Sequence, residues 1–275
     1  MATETKEGGE VAAGEVKSPA VNPIIKTLSN FFEEIGQLAS FIGRFFKEVF
    51  VPRYELKELI RQSYLIGYNS FPLVAITGFI MGLVMTVQSR PTMAQFGAES
   101  WLPAMVAVSI IREIGPVITA LIFAGKVGSG IGAELASMKV TEQIDAMEVS
   151  GINPFKYLVV TRVVAATFML PVLVVIGDAI ALYGSYIGVN IKGDVSFHLF
   201  FLNVFGKLVF SDVLPAITKT FFFGFFISLI GCYKGYNANN GTEGVGEAAN
   251  AAVVIGSLSV FILDMLAVQF TDLFF

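Results

Sequence analysis

Residues 64–89 run for 26 positions without an acid, a lysine, an arginine or a histidine. A helix needs about 20 consecutive apolar residues to cross the ~30 Å hydrocarbon core of a bilayer, so this stretch alone prescribes the solvent in which the chain folds. Four more apolar stretches follow, at about 102–124, 157–191, 213–233 and 248–270. Each carries few charges: Arg112 and Glu113 in the second, Arg162 and Asp178 in the third, Lys219 in the fourth, Asp264 in the fifth. Composition agrees, since only 15% of the 275 residues are charged against about 25% in soluble domains, and the mean hydropathy is +0.72. Many of the 27 glycines and 10 prolines fall inside the apolar stretches, where neighbouring helices can satisfy the backbone groups they free. The sequence therefore predicts an all-α integral membrane protein with five transmembrane helices.

Counting removes several function classes. A net charge of −4 with no basic cluster leaves no footprint for nucleic acid. Cys232 and His198 are the only residues of their types, so disulfide frameworks and Cys/His metal centres are excluded, and neither a metal nor a cofactor is expected.

Ahead of the spans, residues 1–22 form a polar tail predicted to be disordered. Its first 19 residues hold four acids and two lysines and no apolar h-region, which is not the pattern of a cleavable signal peptide. Over 23–51 Ile24, Leu28, Phe31, Ile35, Leu38, Ile42, Phe45 and Val49 recur at steps of four and three, with Lys26, Glu33, Glu34, Arg44, Lys47 and Glu48 on the other face. Such a helix is too charged to span; it is apolar enough to lie in the membrane interface, and the same stripe also suits an amphipathic helix packed on protein. Pro52 ends it, 53–61 reads as a charged elbow, and 52–275 forms the membrane domain. With five spans, placing the N-terminus in the cytoplasm puts every Lys and Arg from Lys6 to Arg61, and Lys126, Lys139, Lys156, Arg162 and Lys234, on the inside, leaving only Arg90, Lys192 and Lys207 outside. That asymmetry orients the chain.

The segment between spans two and three holds the most information. Gly128 and Gly132 stand at the GxxxG spacing that lets helices approach closely. The glycines around Lys126 do not make a nucleotide-binding loop, because G-x-x-x-x-G-K-[ST] occurs nowhere and the stretch follows a transmembrane helix. Residues 134–150 read as a short acidic amphipathic helix: Val140, Ile144 and Met147 lie at helical spacing beside Lys139, Glu142, Asp145 and Glu148, and Gly151 with Pro154 closes it. The same pattern suits a solvated loop and a docking surface for a cytosolic subunit. Arg112, Glu113, Asp178, Lys219 and Asp264 lie at membrane depth, where an ionised side chain requires a partner or a wet cavity. Arg112 and Glu113 are neighbours, about 100° apart on a helix, so they do not neutralise each other face to face; they suit an interhelical or cavity surface, and equally a structural ion pair or a dimer contact.

These residues carry a resemblance. Arg112-Glu113-Ile114-Gly115-Pro116-Val117, then Ala124-Gly125-Lys126-Val127-Gly128-Ser129, then Met138-Lys139-Val140-Thr141-Glu142-Gln143-Ile144-Asp145-Ala146-Met147-Glu148, resemble the MlaE family of ABC-transporter permeases. Asn153-Pro154, Arg162, Gly235-Tyr236, Gly244-Val245 and Asp264 extend the match over about 31–270. The resemblance implies a homodimeric permease of the bacterial inner membrane. Its partners would be a cytosolic MlaF-type ATPase and a periplasmic MCE-domain protein of the MlaD type, and its cargo phospholipid moved between the two membranes of the envelope. It implies that 134–150 is the coupling helix for the ATPase, that Met85 and Phe96 line the lipid cavity, and that Arg112, Glu113 and Lys219 stand near it as charged groups. Ala248-Ala249-Asn250 replaces an Ala-Thr-Thr run frequent in relatives, which puts any role of those hydroxyls in doubt. The residues alone also admit a proton-coupled secondary lipid transporter working through Glu113, Asp178 or Asp264. A membrane lipid enzyme ranks behind both, because Asp194, His198 and Asp212 form no recognisable constellation.

Overall fold

The structure is a computed structural model that describes residues 23–52, 55–191, 193–239 and 241–274; the predicted polar tail 1–22 lies outside them. The chain divides into two compact units, 1–40 and 41–275. The described part of the first is the greater part of helix α1 (Pro23–Val49), with Phe32 and Ile35 exposed.

The second unit contains the end of α1 and all that follows. After α2 (Leu56–Gln95) comes a nearly continuous rod in which α3 (Leu102–Ser109), α4 (Gly115–Phe123) and α5 (Ser129–Val140) are joined by π turns at Ile110–Ile114 and Ala124–Gly128. Next are α6 (Gln143–Val149), a π turn at Phe155–Val160 leading into α7 (Thr161–Asn190), α8 (Phe197–Phe205), α9 (Phe210–Tyr236) and α10 (Thr242–Phe274). The described residues contain no strand. Five segments are long and apolar enough to cross a membrane: Leu56–Gln95, Glu99–Val140, Phe155–Asn190, Phe210–Tyr236 and Thr242–Thr271. The third is the central one, with 61% of its most apolar window buried, and the fifth the most peripheral, with 17%.

Span one runs past the limit that hydropathy sets, and the acid inside its start is paired. Residues 53–61 were expected to be an elbow, yet α2 starts at Leu56, and the buried Glu58 carboxylate accepts hydrogen bonds from Gln62 (2.7 Å), Arg61 (3.2 Å) and the Tyr157 hydroxyl (3.2 Å). Pro72 removes one donor from the helix ladder without breaking it. In the same turn the Lys126 ammonium donates to the Asn69 carbonyl, tying span two to span one.

Small residues make the seams. Along α2 and α7, a Cβ added at Gly78 would lie 2.7 Å from the Gly177 carbonyl oxygen, and one at Gly188 would lie 2.9 Å from Thr86 Cβ. The Thr86 and Ser185 hydroxyls meet there at 2.7 Å. Such close backbone approach is the usual source of helix cohesion in lipid, where hydrophobicity does not drive helices together. A second seam joins α5, α9 and α10: Gly128 faces Gly231 and Ile227, and Gly132 faces Gly235, Ala248 and Ala252. The end of α1 docks through Phe41 and Phe45, whose rings pack edge-on with Phe155 (4.9 Å) and Phe225 (5.5 Å), while Arg44 stacks 4.3 Å over Phe155.

The helix read over 134–150 is divided. α5 continues span two to Val140, then Glu142 takes a left-handed conformation (φ 56°) and the separate α6 covers only Gln143–Val149. The Thr141 hydroxyl bonds back to the Ser137 carbonyl at the break and ends the first helix where uniform periodicity suggested continuation.

Candidate functional site

Three spans bring their intramembrane charges to one point. Lys219 of α9 donates to Glu113 Oε2 and to Asp264 Oδ1, each at 2.8 Å. The lysine is 6% exposed, Asp264 16% and Glu113 40%, so the cluster opens along the Glu113 side. One cation between two carboxylates leaves a formal charge of −1. Asp264 is the only acid in the apolar run of span five; the need of a buried ammonium for a counter-charge is the signal that identifies it.

The backbone explains how neighbouring residues serve two partners. Arg112 and Glu113 lie in the π turn Ile110–Ile114, closed by the Gly115 N–H on the Ile110 carbonyl. From this widened turn Glu113 reaches Lys219 while Arg112 Nη1 lies 4.0 Å from Asp212 Oδ1. Asp212 and Lys219 are seven residues apart on α9, two turns of one face. π turns occur frequently at functional sites because they re-aim side chains without ending the helix. Gly115 permits the arrangement: a Cβ there would collide with the Asp178 carboxylate and lie 2.9 Å from the Ile110 carbonyl oxygen. Asp178 thus presses against the back of the turn that carries the charged pair, and its Oδ1 is buried without a hydrogen-bond partner among the described residues.

Two adjoining cavities meet at Lys219. One, about 370 Å³, is lined by Arg112, Glu113, Ser211, Asp212 and the Lys219 side chain. The other, about 490 Å³, is apolar, with Leu214, Phe222, Leu263, Leu266 and Phe270 in its walls. Pro215, Lys219, Ala267 and Thr271 line both. The arrangement is an apolar trough between α9 and α10 with a charged floor beside it, suited to an amphiphile.

The remaining sequence candidates lie elsewhere. Met85 is packed against the core formed by Leu102, Val106, Ile110, Ala181 and Phe200, next to the π turn but in neither cavity wall. Phe96 caps α2 and is 79% exposed. In the loop beyond α5, Lys139 and Asp145 are paired at 3.0 Å, Ile144 is buried, Met147 is half-buried, and Glu142, Glu148 and Val149 face outward. Behind this loop Arg162, fully buried in α7, donates to Glu134 Oε1 (2.8 Å) and the Leu158 carbonyl (3.0 Å). This brace between α5 and α7 has no sequence signal beyond the two charges.

Comparison with known proteins gives a consistent result. The family model described as Permease MlaE matches residues 59–270. A protein of Rickettsia felis named as a probable ABC transporter permease is 39% identical over 254 residues, covering 92% of this chain and 97% of the relative. One of Synechocystis with the same designation is 31% identical over 236 residues, 86% of this chain and 90% of the relative. The intermembrane phospholipid transport system permease protein MlaE of Haemophilus influenzae is 34% identical over 210 residues, 76% of this chain and 80% of that protein.

Proposed function

The chain belongs to the MlaE family of permeases, and from that premise we propose that it is the inner-membrane subunit of an ABC transporter that moves phospholipids between the inner and outer membranes. The observation that carries the reading is the junction at Lys219 of an apolar trough with a charged floor. A phospholipid has the same two halves: acyl chains fill the wall of Leu214, Phe222 and Leu263, and the headgroup meets the floor. Lys219 is held by two carboxylates, so it fixes the floor and does not itself bind the anion. Arg112, 49% exposed, presents a planar guanidinium toward the cavity and suits a phosphate by charge-assisted hydrogen bonds.

The chain has no phosphate-binding loop of its own, and the energy comes from a separate cytosolic ATPase of the MlaF type. It docks on α6 and the turn before it, where the exposed Glu142, Glu148 and Val149 surround the anchoring Ile144. Two copies of the chain enclose the transport path, the N-terminus lies in the cytoplasm, and an MCE-domain protein of the MlaD type receives or delivers lipid on the periplasmic side. Motion of the ATPases enters through α6 and α5 and reaches Arg112 and Glu113 along span two.

The test is purification of the tagged wild type and a Glu142→Arg, Asp145→Arg double variant from native membranes, with assay of bound ATPase, nucleotide hydrolysis and phospholipid. The expected outcome is ATPase and lipid with the wild type, and loss of the ATPase from a variant that retains its thermal stability. Absence of any ATPase from the wild type in mild detergent rejects the reading. One observation favours proton coupling as a second reading, namely the unpartnered Oδ1 of Asp178. Lipid transport that needs no nucleotide, follows a proton gradient and is lost in Asp178→Asn would establish that reading in its place.

A further inference from the structure

A second apolar groove lies on the same helix as the Lys219 cavity. It measures about 510 Å³ and opens between the end of α1, α7 and α9. Seven of its eleven lining residues are phenylalanines, among them Phe45, Phe46, Phe225 and Phe226. Its only polar wall residue is Thr167, whose hydroxyl is satisfied by the Val163 carbonyl at 2.7 Å.

From this geometry we infer that the groove holds an acyl chain of a membrane phospholipid and passes it to the Lys219 cavity, with the Phe222 ring as the partition; the inference rests on the proposed transport of phospholipid. Phe222 lines both spaces. Leu214, Thr218, Phe222 and Phe226 follow one another at steps of four on α9, the first three in the wall of the cavity and the last two in that of the groove. Residues at that spacing form one ridge, here about 18 Å long at 1.5 Å per residue. The occupant is an acyl chain and not a helix because the wall is the wrong kind for a helix seat. Helices in lipid pack through Gly, Ala, Ser and Thr, as this chain does at Gly128–Gly231 and Gly132–Gly235. The groove offers large flat rings and no glycine. Its volume falls in the range of about 300–1,000 Å³ typical of small-molecule sites, and with no charged group in its wall it recognises the chain and not the headgroup.

The experiment uses the intact complex with its ATPase in phospholipid nanodiscs containing phosphatidylcholine with a diazirine on one acyl chain. Adducts are mapped by mass spectrometry in the groove (Phe225, Phe226), in the cavity (Leu263, Leu266) and at Val254 and Leu258 on α10 as a reference for surrounding lipid. The groove is filled in two ways: by Thr167→Trp, and in Phe46→Cys by a bulky methanethiosulfonate added after assembly, specific because the native Cys232 is buried. The second compares one folded sample before and after modification. The expected result is labelling of both spaces, and a several-fold fall of cavity adducts when the groove is filled, with the reference unchanged. Unchanged cavity labelling with a filled groove, or cavity labelling without groove labelling, overturns the inference and leaves the transport reading standing. No cavity labelling in the wild type overturns both.

Discussion

The two long faces of α9 are built on opposite principles. One carries Gly224, Gly231 and Gly235, where an added Cβ would lie 2.7 or 2.8 Å from the carbonyl oxygens of Ala166, Gly128 and Gly132. The other carries Leu214, Thr218, Phe222 and Phe226, which border open space. The first face has no volume to spare and the second has cavities of hundreds of cubic ångströms. Close-packed seams transmit displacement because they do not compress, while an open face lets a bulky ligand slide without unpacking anything. A transporter needs both, and this chain puts them on one helix.

The largest effect expected is from breaking the tight face. Gly231→Leu forces a side chain into the Gly128 backbone and destabilises by about 3 kcal/mol or more, read as loss of monodisperse protein after membrane extraction. Phe222→Leu on the open face stays within about 1 kcal/mol and extracts as the wild type does. If both variants extract equally well, the contrast between the faces is wrong.

At the junction of the two faces, Lys219→Met leaves Glu113 and Asp264 together without their cation. Removal of one partner from a buried pair costs about 3–5 kcal/mol, seen as a drop in melting temperature. Adding Glu113→Gln and Asp264→Asn restores part of the stability but not transport. Full rescue of transport would mean the cluster serves packing alone.

Arg112→Gln tests the floor more gently. Its contact with Asp212 is long and half-exposed, so stability changes by less than about 1 kcal/mol, while the phospholipid retained after purification falls. Retention unchanged would remove Arg112 from the headgroup site. The smallest effect on transport belongs to the other seam: Thr86→Val deletes the hydroxyl pair with Ser185 for about 0.6 kcal/mol, measurable in a denaturation series and silent in transport.

The spans were legible because hydrocarbon imposes a composition that no local exception hides, and the intramembrane charges were legible as a set because each stands out from that background. Their pairing was not. Which acid meets Lys219 depends on the relative rotation of three helices, and the π turn at Ile110–Ile114 shifts that rotation without altering any residue pattern. The break at Glu142 escaped for a related reason: a left-handed residue that is neither glycine nor asparagine gives no signature, and the charges around it continue the helical period. Gly128 and Gly132 could be assigned to close packing, but their partners Gly231 and Gly235 lie a hundred residues away and are joined to them only by the fold.

Span two has a mechanical consequence in its length. Glu99–Val140 comprises 42 residues, about 63 Å at 1.5 Å per residue, twice the ~30 Å hydrocarbon core. If the proposed ATPase drive pivots this rod near the charged cluster, its long arm ends at the loop that leads to α6. From Arg112 to Val140 that arm measures about 42 Å, so a swing of about 5° moves its tip by about 4 Å. In the proposed coupling, a push of a few ångströms at the loop beyond α5 would arrive at the cluster as a rotation of a few degrees. Hydrogen bonds of 2.8 Å are sensitive to so small a rotation because their strength depends on distance and angle.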